Sequence, residues 1–286
     1  MMQRRSKGIA LVSVLWLLVL LTTIAVALTA TVRSEVRAVG NTVEMTKARY
    51  AAQAGVELGV LNLLVPQAQR WPADGSVREL ALRDITLRIA TLDEAGKIDI
   101  NFAGAEVLAA LMAQSGVETD RASMIADAVL DWRDVDDMRR LNGAEDDDYR
   151  MAGRSYGAAD RDFHSVDELL QVLGMDRDIF AAIEPALTVH SGLAGTNPQL
   201  ASMQVANAIS GLPAVQTNAS GLSYTVVVEA TTPQGIISRL AVTVALVPGG
   251  AGKPYQVLAW RQLNRAPFED QSSSGMDYTI AMEGIR

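Results

Sequence analysis

Between Asp131 and Asp148 the chain carries eight carboxylates: Asp131, Asp134, Asp136, Asp137, Glu145, Asp146, Asp147 and Asp148. Only Arg133, Arg139 and Arg140 oppose them. So dense a run repels itself unless water or a cation screens it. Calcium takes roughly six to eight oxygen ligands and accepts them from an acidic loop. The candidate ligands are Asp134, Asp136, Asp137, Glu145, Asp146, Asp147 and Asp148. Asp134, Asp136 and Glu145 fall at the first, third and twelfth places of an EF-hand-length register. Met138 and Arg139 stand at its fifth and sixth places, where an oxygen donor and a glycine belong. The register is therefore not an EF-hand. A solvated loop partly neutralised by its own arginines explains the same residues.

Other chemistries find little support. The two histidines, His164 and His190, form no HExxH-type ligand pair, and there is no GxSxG elbow or phosphate-binding glycine loop. No cysteine is present, which removes disulfides, thiolate metal sites and a thiol nucleophile. Acid pairs such as Asp99 and Asp131 have no sequence feature that would make them converge. Trp132 reads as a core side chain of a helical block. The expectation is a non-enzyme. A net charge of −8 also argues against nucleic acid as a partner.

The elements around the acidic run begin with an uncharged stretch of 24 residues, Ile9 to Val32, behind a leader holding Arg4, Arg5, Lys7 and Gly8. Such a run is long enough to span a bilayer as a helix. The basic leader marks the N-terminus as the cytoplasmic side. Ala25-Val26-Ala27 also offers a signal-peptidase site, so cleavage after Ala27 stays open. From Arg33 to Leu64 there is no proline and alanine is frequent, and apolar positions such as Val36, Val39, Val43, Val56, Val60 and Leu63 keep helical spacing until Pro66. A helix from Ile9 to Leu64 would be ~84 Å long at ~1.5 Å per residue, far more than the ~30 Å a bilayer core takes.

Beyond a turn at Trp71-Pro72-Ala73-Asp74-Gly75, the residues Ile85 to Ile89 alternate as a strand should. A helical block follows, through Val107, Leu111, Ile125 and Val129. Ser165 to Glu168 has the capping-box form, Gly174 is a stop, and Asp176 caps a helix ending near Pro185. Asn197-Pro198 predicts cap and first-turn proline for a helix through Ile209. The last third predicts strands at 224–229, 236–247 and 257–260, and a polar segment follows. This order suggests an α+β fold.

Several of these features together resemble the type IV pilin-like proteins and, within them, the minor pseudopilin K family of type II secretion systems. They are the leader ending at Gly8 with Ala10-Leu11 and Val14-Leu15-Trp16; Leu92-Asp93-Glu94 with Gly96-Lys97-Ile98-Asp99-Ile100-Asn101; Asp131-Trp132-Arg133-Asp134; Gly143-Ala144-Glu145-Asp146 with Tyr149; and Ser165-Val166-Asp167-Glu168-Leu169. The resemblance implies a pilin-like long N-terminal helix packed on a small antiparallel sheet, with a large α-helical insertion. It implies a leader at 1–8, a membrane segment at 9–32, a stalk at 33–65, a sheet domain at 66–97 and 187–262, an insertion at 98–186, and a polar tail at 263–286. It also implies prepilin-peptidase cleavage between Gly8 and Ile9 with N-methylation, and calcium in the helical region. The implied setting is the bacterial inner membrane with the bulk periplasmic. Membrane lipid, the inner-membrane secretion platform and minor pseudopilins of the I and J types are the implied partners. Most pilins carry glutamate at the fifth mature residue, which here is Ser13; the K branch lacks it. The implied role is at the tip of a pseudopilus, in support of protein export. A minor pilin of a type IV pilus, or a secreted calcium-binding domain cut after Ala27, are the alternatives.

Overall fold

The computed structural model describes residues 7–247, 252–264 and 267–268. Most of the expected tail at 263–286, and most of the leader, therefore lie outside the described residues. Helix α1 runs unbroken from Lys7 to Leu64. No proline interrupts it, and it ends two residues before Pro66, which disfavours helix for the residue it follows. Its two halves differ in surroundings. Side chains described from Leu11 to Val43 are exposed, whereas Ala48, Ala51, Ala52, Val56, Val60 and Leu63 are buried.

That buried stripe sits on a five-stranded antiparallel sheet of order β1-β2-β5-β6-β7. The strands are β1 (Arg78–Leu82), β2 (Ile85–Asp93), β5 (Ser223–Thr231), β6 (Ile237–Leu246) and β7 (Tyr255–Gln262). Alternate residues of the central strands (Leu87, Ile89, Val226, Val228, Val242, Val244) share one core with α1, as the period of two requires. Gly55 and Gly59 let the helix seat closely. A Cβ at Gly55 would lie 2.7 Å from Val228 Cγ1, and one at Gly59 2.5 Å from Val226 Cγ1. The sequence reading placed β5, β6 and β7 but stopped β2 short at Ile89 and missed β1. Strand β1 is an edge on which only Arg78 and Leu80 are half-buried, and Glu79, Ala81 and Leu82 are exposed.

A second core is helical. It is built from α2 (Ala105–Gln114), α3 (Thr119–Arg133), α4 (Asp146–Met151), a 3-10 turn (Val166–Gln171), α5 (Arg177–Ile183) and α6 (Met203–Ile209). Leu111, Met112, Ile125, Val129, Trp132, Tyr149, Leu169 and Ile209 are buried there. A parallel pair of short strands, β3 (Ile98–Asp99) and β4 (Leu187–Thr188), brings together the points where the chain enters and first leaves this region. Three sequence expectations are corrected. The segment after 187 does not return at once to the sheet: Val205, Ala208 and Ile209 of α6 pack into the helical core, and the sheet resumes at Ser223. Asn197-Pro198 does not open α6. Asn197 Oδ1 accepts the Gln199 N–H at 3.0 Å in a turn, and Ser202 caps the helix. The Ser165 box opens a 3-10 turn rather than an α-helix. Asp176 caps α5 by accepting the N–H groups of Asp178 and Ile179, and Gly174 takes a left-handed φ of 87°.

The neck between the cores is polar and closed. Asp93 accepts hydrogen bonds from the Ala95 N–H, the Ser220 hydroxyl and the Gly221 N–H. Buried Glu94 pairs with Lys97 at 2.8 Å and accepts from the Thr225 hydroxyl at 2.7 Å. Asp99 accepts from the Asn101 and Gly192 N–H groups and the Ser191 hydroxyl. Burial pushes Asp93 and Asp99 above the usual carboxylate range. Burial acts the same way on Glu94, but the Lys97 ammonium and neighbouring hydroxyls hold it lower than usual. The Leu92–Asn101 motif thus does structural work, fixing the insertion on the sheet.

Candidate metal centre and anchor helix

Three carboxylates come together where α3 ends and α4 begins. Asp131, fully buried, lies in the last turn of α3; Asp134 is its C-cap; Glu145 is the N-cap of α4. One oxygen from each lies within 4.8 Å of the others. The position of α3 follows from its sequence. Glu118 caps it by accepting the Asp120 and Arg121 N–H groups, and Ala122, Ile125, Ala126, Val129 and Trp132 face the core. Residues three apart share a helix face, which puts Asp131 beside Asp134. Between α3 and α4 the chain folds back closely: a Cβ at Gly143 would lie within 3 Å of the Asp131 carboxylate. Trp132, Tyr149, Tyr156 and Phe163 form an aromatic wall next to the cluster, with Trp132 and Tyr149 centroids 5.5 Å apart.

Among the described residues, one cation enters the cluster. The Arg140 guanidinium donates to Asp131 Oδ1 at 2.6 Å and also to Asp134, and the Arg140 N–H donates to Asp131 Oδ2. Arg133 turns away, donating to the carbonyls of Ile100 and Ala103, and Arg139 pairs with Asp148. Two buried oxygens, Asp134 Oδ1 and Glu145 Oε1, have no hydrogen-bond donor among the described residues. Glu145 is pushed up to about 7 by burial and by the charges of Asp131, Asp134, Asp160 and Asp137. An all-oxygen set with unmatched buried lone pairs and self-repelling charge suits a hard divalent cation. The residues present therefore fit calcium.

The structure sorts the seven candidate ligands. Asp134 and Glu145 converge, and Asp131, which belongs to the acidic run but not to the candidate set, completes the group. Asp136 and Asp137 are exposed on the loop. Asp146 accepts the Ala158 N–H at 3.1 Å. Asp147 is exposed and paired with Arg150. Asp148 accepts the Glu145 N–H and pairs with Arg139. The signal for Asp131 was its spacing of three from Asp134 on a helix whose intervening Trp132 is a core residue.

Toward the other end, the window Leu11–Thr29 of α1 is long and apolar enough to cross a membrane, and none of it is buried. Its hydroxyls are satisfied within the helix: Thr22 donates to Leu18 O at 2.9 Å, Thr23 to Val19 O at 2.5 Å and Thr29 to Ala25 O at 2.7 Å. That is the arrangement a bilayer demands. The Gly8–Ile9 peptide and Ser13 lie within α1.

The family profile described as Type II secretion system (T2SS), protein K matches residues 84–192, from β2 through the neck and the acidic cluster. A PilX N-terminal profile matches residues 7–57, along α1. Over these segments the chain is similar to the type II secretion system protein K family. The protein K of Pectobacterium carotovorum subsp. carotovorum is 40% identical over 81 residues, 28% of this chain and 25% of that one. The protein K of Dickeya chrysanthemi is 26% identical over 266 residues, covering 71% of this chain and 74% of its relative. The matches thus span a quarter of the first relative and about three quarters of the second. Among solved structures, the crystal structure of the GspK-GspI-GspJ complex from enterotoxigenic Escherichia coli contains a chain with the same fold. Its TM-score is 0.60 at 16% identity, over 79% of this chain and 99% of that one. The likeness is one of fold, an α+β architecture with a long N-terminal helix against an antiparallel sheet.

Proposed function

We propose that this chain is a non-catalytic minor pseudopilin that caps the tip of a periplasmic pseudopilus and supports protein export. The carrying observation is α1 itself, an exposed apolar half continuous with a half seated on the sheet through Gly55 and Gly59. That design lets one helix serve as membrane anchor and as the spine of an assembled subunit. The basic leader orients the N-terminus to the cytoplasm and the folded bulk to the periplasm. A prepilin peptidase cuts between Gly8 and Ile9, and the new terminus is methylated.

The tip position rests on two features. At the fifth mature residue, Ser13 supplies no carboxylate for a neighbour's N-terminal ammonium, and an uncompensated charge in the bilayer costs about 3 kcal/mol or more. The helical insertion also adds a second core that a repeating filament has no room for. Its partners are the I- and J-type minor pseudopilins, as in the GspK-GspI-GspJ complex of its structural relative, together with the inner-membrane platform and lipid. Calcium is held by Asp131, Asp134 and Glu145, where it neutralises the cluster and fastens α3 to α4. Immunogold labelling of sheared pseudopili tests the position. Label at one end only is the expected result, and label spaced along the filament refutes it. Copurification with type IV pilus subunits instead of I- and J-type pseudopilins would move the chain to the alternative filament system.

A further inference from the structure

The loop joining α3 to α4 shows solvent its largest apolar side chains. Val135, Met138 and Leu141 are 84%, 78% and 91% exposed, and Met151 of α4 is 78% exposed. By comparison, Trp260 on edge strand β7 is 49% exposed. The backbone beneath these side chains is fixed. Asp136 Oδ1 accepts the Met138 N–H at 2.9 Å, the Asn142 N–H donates to Asp127 Oδ2 at 3.3 Å, and the Gly143 N–H donates to Arg140 O at 3.2 Å. Arg139 bonds Asp148 at 2.9 Å, tying the loop to the face of α4 that Met151, three residues on, also occupies. A surface held this way loses little freedom on binding.

We infer that Val135, Met138, Leu141 and Met151 form a docking surface for a folded protein offering an apolar pocket with a lysine- or arginine-rich rim. Charge selects that occupant. Asp136 and Asp137 flank the apolar side chains and have no ion pair among the described residues, while Arg139 and Arg150 are already paired with Asp148 and Asp147. The exposed rim is therefore acidic. An anionic lipid surface would meet like charge, and so would a second copy of the same loop. A basic rim meets complementary charge, which speeds encounter and fixes register. This surface needs neither the tip position nor a bound cation, so it stands apart from the function proposed above.

The test places the photo-crosslinking residue p-benzoylphenylalanine at position 138 of the full chain in intact producing cells. One discrete protein adduct is expected, with the linked peptide mapping to an apolar site rimmed by Lys or Arg. That partner is then purified and titrated against full-length variants in detergent. Val135→Ser/Met138→Ser/Leu141→Ser should weaken binding roughly tenfold or more with an unchanged melting temperature, since these side chains bury nothing. Asp136→Asn/Asp137→Asn should flatten the salt dependence of binding. Adducts confined to lipid or to the chain's own copies would overturn the inference. So would an acidic linked surface, or undiminished binding by the serine variant.

Discussion

The molecule contains two hydrophobic cores built on opposite plans. In the sheet core, long-range strand pairing and one helix make a layer whose contacts are almost purely apolar, and close approach depends on two glycines, Gly55 and Gly59. In the helical core, short helices of six to 15 residues surround an aromatic group, and that core borders a cluster of carboxylates that Arg140 enters. The first core is stable through packing alone. The second carries an electrostatic cost at its carboxylates, which pushes Glu145 up to about 7. The neck of Asp93, Glu94 and Asp99 separates them, so injury to one should stay on its own side.

The largest expected injury is Trp132→Ala, which empties the centre of the helical core at a cost of about 4 kcal/mol. Hydrogen exchange should then quicken in α2 and α3 while β5 and β6 keep their protection; equal quickening in both would break the division. Gly59→Val forces a branched side chain against Val226 and should cost about 3 kcal/mol. Here the loss of protection should fall on α1 and the sheet, with the helical core spared.

The next effect is one of pH. Glu145 has a folded-state value of about 7, above its ordinary 4.5. A raised carboxyl favours the protonated folded state, so without calcium stability should fall as pH rises from about 4.5 through about 7. The expected loss is about 3 kcal/mol. At the proposed site, saturating calcium should hold Glu145 ionised and remove this slope, calcium affinity should rise over the same interval, and binding should release protons. Glu145→Gln should flatten the curve without calcium and abolish the calcium-induced rise in melting temperature. A calcium-free curve already flat would contradict the electrostatic difference between the cores. The smallest effect is expected at the exposed Arg121–Asp176 pair, 2.7 Å apart, where Arg121→Ala should leave the melting temperature nearly unchanged.

The two cores also differed in how legible they were. Helix α1 was plain because charge, proline and apolar spacing all agreed from Ile9 to Pro66. Strands β5 and β6 were plain because β-branched runs flank a turn with Pro233 and Gly235. Edge strand β1 was not, since its few neighbours demand little of its sequence. Asn197-Pro198 misled because an Asx turn and a helix cap use the same side-chain acceptor. The place of α6 in the helical core depends on contact with α2, about a hundred residues earlier in sequence. At the acidic cluster, composition pointed to the right segment. It did not select Asp131, whose meeting with Glu145 depends on the chain folding back at Gly143.

The sheet core rests on α1 and the helical core hangs from that sheet through the neck, so the processing of α1 is the most direct test. N-terminal sequencing and mass measurement of the mature chain from its own membranes should give Ile9 as the first residue, N-methylated. A chain beginning at Leu28, or one retaining the leader, would contradict the assignment of α1 as the spine of a pilin-class subunit.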